Sequence, residues 1–329
     1  MKLLRILLLA LGIVFLGALV AHNDPVRILA SIEQLSWRLG VLLCFPAFLV
    51  IVLDTLGWRF AFLEDRVPFS TLLWTRLAGE AFNITTPTAA LGGEAVKAWL
   101  LRGHAPLDES ISSVVAAKTT ITIAQGLFLL VAIGFAWALV PSDSGLLHGM
   151  FWLLALEVVM LAGFVAAQVR GMFRWGHSLL ERIGIRVLGH VDTVHRVDAG
   201  LARFYRHAPA RLFLSIAFHL LAWLLGILEA YLILWFLGVE VSLATATVIE
   251  ALGTAVRFAT FLIPGSVGVL EGGYVASFVG LGLRSTDAIS FGLVRRFREI
   301  AWVAVGLVLF AMLRPAGSAR LRQAVHPER

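Results

Sequence analysis

Uninterrupted apolar runs, each about as long as a bilayer is thick, constrain this chain more than any other feature. Leu212–Gly238 is one, and others lie at about 38–57, 111–140, 147–169 and 287–313. A helix that crosses a membrane needs about 20 such residues. Composition agrees: 59% of the 329 residues are hydrophobic and 15% charged, against about 45–50% and 25% in soluble domains. An ordinary soluble enzyme, a disordered chain and a nucleic-acid-binding domain are excluded. A β-barrel is excluded too, because its strands read as short alternating segments. The run Leu3–Val20 follows Lys2 and Arg5 and lacks a small-x-small cleavage site, so it reads as an uncleaved first helix entering from the cytoplasm. The expected fold is an all-α polytopic membrane protein with about six transmembrane helices.

Two further apolar segments are broken. Segment 71–101 is interrupted at Thr85-Thr86-Pro87 and at Gly92-Gly93; segment 243–283 is interrupted at Ile263-Pro264-Gly265 and at Glu271-Gly272-Gly273. Proline ends a helix, and backbone freed at membrane depth must be shielded by protein or line a cavity. Both segments therefore read as re-entrant hairpins. Six spans and two hairpins place eighteen of the 27 Lys and Arg on one side and three on the other. Positively charged loops stay cytoplasmic, so both termini are expected inside.

The largest polar stretch, 170–210, is basic and carries Leu180, Val187, Val191, Val194, Leu201 and Phe204 at roughly helical spacing. It reads either as an interfacial amphipathic helix against anionic lipid or as a solvated connector. The single cysteine, Cys44, excludes a disulfide framework and a Cys-based zinc site. The nine His show no ligand spacing and no P-loop is present. No metal site, cofactor or catalytic residue is expected.

Aligning the two breaks on Pro87 and Pro264 sets an offset of 177 that also maps Glu94 onto Glu271 and Lys118 onto Arg295. Half-repeats of about 38–140 and 211–313 follow, the first hairpin opening to the cytoplasm and the second to the outside. Inverted repeats of this kind bind substrate at the midplane, where broken helices meet.

A charge at the bilayer centre costs at least ~2.5–3.5 kcal/mol. Six cations lie at that depth, Arg76, Lys118, Arg257, Arg295, Arg296 and Arg298, with acids at Asp54, Glu80, Glu94, Glu157, Glu229, Glu250, Glu271 and Glu299. Either they pair and fix the packing, or they line a polar cavity. The offset places Glu80 on Arg257, which suggests a pair across the pseudo-twofold axis. Arg295, Arg296 and Arg298, joined by Lys118 and Arg257, offer donors for phosphate oxygens, and Asn83 adds a neutral polar group. Glu80, Glu94, Glu271 and Glu299, with the helix-breaking Pro87 and Pro264, would frame or gate such a cavity.

Gly79-Glu80-Ala81-Phe82-Asn83, then Pro87 and Gly92-Gly93-Glu94, resemble the first signature of the lysylphosphatidylglycerol synthase transmembrane-domain family. Pro264-Gly265-Ser266-Val267-Gly268 with Glu271-Gly272-Gly273 resembles the second. The Glu-Gly-Gly ending and Val294-Arg295-Arg296-Phe297-Arg298-Glu299 are most similar to the hopanoid-biosynthesis-associated branch. The resemblance covers about residues 1–315, leaving 316–329 as a cytoplasmic tail. It implies a flippase-like domain that moves an anionic or hopanoid-type lipid across a bacterial inner membrane. The aminoacyl-transferase domain of fused family members is not expected here, so no enzyme activity is. Expected partners are membrane lipids and, in the alternative reading of a non-transporting scaffold, enzymes of lipid or hopanoid synthesis. Nucleic acid is not among them.

Overall fold

A computed structural model describes residues 14, 16–23, 25–33, 35–86, 92–182 and 191–313. The start of the first apolar run, Pro87, Val187 and the tail after Leu313 lie outside the described residues. Residues 16–22 are helical. Twelve α-helices follow: α1 (Pro25–Glu33), α2 (Arg38–Ala61), α3 (Phe69–Thr85), α4 (Gly92–Leu100), α5 (Leu107–Leu139), α6 (Gly145–Val169), α7 (Met172–Arg182), α8 (Val191–His207), α9 (Pro209–Phe236), α10 (Leu243–Ala259), α11 (Val269–Gly280) and α12 (Ser285–Leu313). No strand occurs among the described residues. Among the described residues four helices, α2, α5, α6 and α9, are long and apolar enough to span a bilayer. Helix α12 is 29 residues long, about 43 Å at 1.5 Å per residue, and carries Arg295, Arg296, Arg298 and Glu299 in its middle. The chain is an all-α polytopic membrane protein.

Both broken segments form pairs of short helices, and each break has a local cause. Helix α3 ends where Thr86, which precedes proline, turns extended at φ −97° and ψ 135°, as the clash with a proline ring demands. The second break runs from Thr260 to Gly268 and passes through left-handed backbone at Gly265 (φ 58°) and Gly268 (φ 79°). The expected interruption at Glu271-Gly272-Gly273 does not occur. These residues lie inside α11, because Glu271 accepts the Gly268 N–H at 2.8 Å and caps the helix instead of breaking it.

The repeat is visible in which helices pack together. Offset by 177, α2, α3, α4 and α5 fall on α9, α10, α11 and α12. The equivalent helices α2 and α9 lie against each other and run antiparallel. Arg211 reaches the Phe62 carbonyl, Phe218 stacks on Phe60, His219 meets Asp54, and Ala230 shares a core with Leu42. Antiparallel contact of two equivalent helices is the arrangement that an inverted repeat predicts for them. The hairpins are exchanged accordingly. Helix α3 packs on α12 of the other half, where Gly306 sits on the Leu77 carbonyl and Ala81. Helix α10 packs on α5, where Phe128 and Ala132 share a buried cluster with Val248 and Ala251.

The basic stretch divides into two helices with different fates. Helix α8 spends its apolar face on protein: Val197, Leu201 and Phe204 are buried with Trp58, Phe62 and Val114, and Ser112 donates to the Val197 carbonyl. It therefore lies against the bundle. Helix α7 leaves Trp175 and Leu179 exposed, and its first N–H groups at Phe173 and Arg174 are capped by Asp198 of α8.

Candidate functional site

The first polar cluster is built by the first hairpin. Gly79 and Gly93 let α3 and α4 touch backbone to backbone; a side chain on Gly93 would overlap the Gly79 carbonyl. At that separation Asn83 bridges the break. Its Oδ1 accepts the Gly93 N–H at 2.9 Å and its Nδ2 donates to Glu94 at 3.0 Å. One turn along α4, Lys97 donates to Glu80 at 2.8 Å and to Glu94 at 3.1 Å. Lys97 is 5% exposed, whereas Glu80 is 41% exposed.

Helices α2 and α9 add a second layer. Asp54 takes the Arg76 guanidinium on Oδ2 at 2.8 Å and His219 Nδ1 on Oδ1 at 2.9 Å. The imidazole lies flat over Gly57, where any Cβ would come within 2.6 Å of the ring. Trp58, Arg76, Glu80, Glu94, Lys97, Lys118 and His219 surround a small cleft of about 30 Å³, with Val114, Ala117 and Ile121 as its apolar side. That is room for one or two waters. Lys118 is exposed, and among the described residues it makes no ion pair. Three cations and two acids thus line the cleft, with a third acid, Asp54, behind His219 and Arg76.

The second cluster is matched in charge. Arg295 grips Glu250 with two prongs, one of them at 3.0 Å, and donates to the Tyr274 hydroxyl at 3.2 Å. Arg298 holds Glu229. Arg296 binds Glu271 at 2.7 Å, Glu299 at 2.7 Å and the Gly265 carbonyl at 2.7 Å, pinning the second break. Arg257 completes the set on Glu299 at 2.7 Å. Four arginines meet four carboxylates.

Two expectations are corrected. Glu80 and Arg257 do not pair: each finds a nearer opposite charge inside its own half, Lys97 for Glu80 and Glu299 for Arg257. The three arginines of α12, expected to offer donors for phosphate oxygens, are instead engaged by Glu229, Glu250, Glu271 and Glu299. Of the other expected residues, Asn83, Glu80, Glu94 and Lys118 converge on the first cluster. Arg257, Arg295, Arg296, Arg298, Glu271 and Glu299 converge on the second. Pro264 opens the short 3-10 turn at the second break.

Lys97 and the Asp54–His219 pair were not among the residues expected from the sequence. The spacing Glu94-x-x-Lys97 on one helix face was the available signal for the first. No local signal pointed to His219, because its partner is 165 residues away. Glu157 of α6 stands apart: it is 1% exposed and neither carboxyl oxygen has a hydrogen-bond partner among the described residues. Among those residues no group of three His, Cys, Asp or Glu is placed to hold a metal ion.

Comparison with known proteins adds one family. The lysylphosphatidylglycerol synthase TM region matches residues 3–308. A protein described as a UPF0104 membrane protein, from Methanothermobacter thermautotrophicus, is 24% identical over 311 residues, covering 88% of this chain and 89% of its own length. No solved structure shows a significant match.

Proposed function

Because this chain belongs to the lysylphosphatidylglycerol synthase TM region family, we propose that it is a flippase-like transporter that moves an anionic lipid between the leaflets of a bacterial inner membrane, with both termini in the cytoplasm. The observation that carries this reading is the first cluster. A cleft beside the break of the first hairpin holds a lysine, Lys118, that makes no ion pair among the described residues, beside Glu80, which is partly exposed. Unpaired positive charge in a membrane interior is expensive, and it marks a place where an anionic group is received. The reading assigns transport and no catalysis to the fold.

Reconstituted protein in vesicles bearing a fluorescent anionic lipid in one leaflet tests it. Wild type is expected to redistribute the lipid. Lys118→Gln is expected to slow redistribution at least several-fold without lowering folded protein, because Lys118 holds no structural partner. Redistribution no faster than in protein-free vesicles would reject transport. A cysteine at His104, in a chain with Cys44→Ala, is expected to react with an impermeant thiol reagent only from the cytoplasmic side.

The second cluster favours a second reading, a non-transporting scaffold for enzymes of lipid or hopanoid synthesis. Fully matched charges, as around Arg295 and Arg296, are what a dry structural core would carry. In that case the vesicle assay is silent and the protein co-purifies with such enzymes.

A further inference from the structure

His219 is the one residue of the cleft whose chemistry is left half used. Its Nδ1 is committed to Asp54 at 2.9 Å. Asp54 can only accept, and its other oxygen holds Arg76, so the Nδ1 proton is donated and stays on that nitrogen. Nε2 at the far side of the ring is buried and has no partner among the described residues, although the side chain is 1% exposed and the ring lines the cleft. A buried polar atom without a partner is costly, and the polar space of water size that this ring borders is near enough to supply one.

The charged groups facing this ring are Asp54 from α2, Arg76 and Glu80 from α3, Glu94 and Lys97 from α4, and Lys118 from α5. With neutral imidazole these cancel. A proton on Nε2 converts a lone pair into a donor and leaves the cleft with one net positive charge. An anion entering beside Lys118 would gain both the donor and the charge.

We propose that His219 is a proton-linked contact for a phosphodiester anion that enters by widening this water-sized cleft, so that anion entry and proton uptake at Nε2 are one coupled event. The inference rests on the transport reading for its lipid and adds the coupling ion. No bond of the anion is broken. The proton comes from solvent, resides on Nε2 while the anion is bound, and leaves with it. Linkage makes the coupling reciprocal: acid tightens the anion, and the anion raises proton affinity.

The test is calorimetric titration of the full-length protein in detergent with dihexyl phosphate, a diester whose charge is constant across the window in which histidine titrates, about pH 5.5 to 8. Buffers of different ionisation enthalpy report protons taken up. Wild type is expected to bind more tightly at lower pH, by up to about tenfold per unit, with up to one proton taken up per diester. His219→Gln is expected to bind with neither pH dependence nor uptake. His219→Asn replaces it if the glutamine variant does not fold, and if neither folds, wild-type uptake decides.

Zero uptake by wild type, uptake that persists in the variant, or no binding at any pH would each overturn the proposal. Dimethyl phosphate identifies the source: coupled binding of dihexyl phosphate alone supports a lipid, and of both diesters a soluble phosphodiester. Lipid movement that ignores pH and His219→Gln overturns the coupling and leaves transport standing. Coupled binding without lipid movement does the reverse.

Discussion

Lys97 Nζ lies 2.8 Å from Glu80 Oε1, which ties the two arms of the first hairpin together across a break of six residues. The contact is asymmetric, since the ammonium is buried and also serves Glu94, while the carboxylate is partly open. Lys97→Met strands two acids and is expected to cost about 3–5 kcal/mol, the range for a buried pair that loses one partner. Glu80→Gln leaves Lys97 on Glu94 and is expected to cost distinctly less. Thermal unfolding of both variants in detergent measures the difference, and equal losses would refute the asymmetry.

Arg295 engages Glu250 with both terminal nitrogens and Tyr274 with one of them. A lysine cannot make a two-pronged contact. Arg295→Lys is expected to lower stability by about 1.5–3 kcal/mol and to spare lipid movement per folded molecule. Abundance and movement measured on the same vesicles separate the two effects. Loss of movement at normal abundance would place the substrate at the second cluster instead.

Gly93 and Gly134 make a matched pair of tests. A methyl group on Gly93 would run into the Gly79 carbonyl, whereas Gly134 faces open space. Gly93→Ala is expected to force the hairpin apart and abolish monodisperse protein. Gly134→Ala, within helix α5, is expected to be neutral or to stabilise by roughly 0.5–1 kcal/mol. Size-exclusion profiles after extraction read both.

Glu157 carries a buried carboxyl group that nothing satisfies among the described residues. Replacing an unpaired buried polar group with an apolar one of similar size removes its desolvation cost. Glu157→Leu is therefore expected to leave thermal stability unchanged or raise it. A marked fall would show that a partner reaches this carboxyl in the membrane.

Much of the architecture was legible because it is written in single residues and lengths. Proline at 87 and 264 and the apolar runs located the hairpins, and the constant offset exposed the repeat. Partner choice was not legible. Glu80 and Arg257 occupy equivalent positions, but equivalence by an axis brings two residues together only if both lie on that axis. A lysine on the returning arm of the same hairpin is closer. The Gly-Gly after Glu271 reads as a break in sequence and is helical in fact, because a glutamate three residues into the helix supplies the cap that starts it. Lys97 escaped notice because a lysine near a helix end reads as an anchor in the headgroups, and only the fold shows it turned inward.

The exchange of hairpins between halves has a consequence for synthesis. Helix α3 leaves the ribosome early, yet its packing partner around Gly306 is among the last segments made. During that interval the first hairpin sits in the bilayer without its neighbour. Lys97 contacts both of the hairpin's carboxylates from within, Arg76 of the same hairpin supplies the second positive charge that balances them, and Asn83 ties the break shut, so the unit carries its own counter-charges before the rest of the chain arrives. The second hairpin draws its cations mainly from α12, the helix that follows it directly, so its wait is short. Internal pairing in one hairpin and borrowed pairing in the other fit the order in which each half meets the membrane.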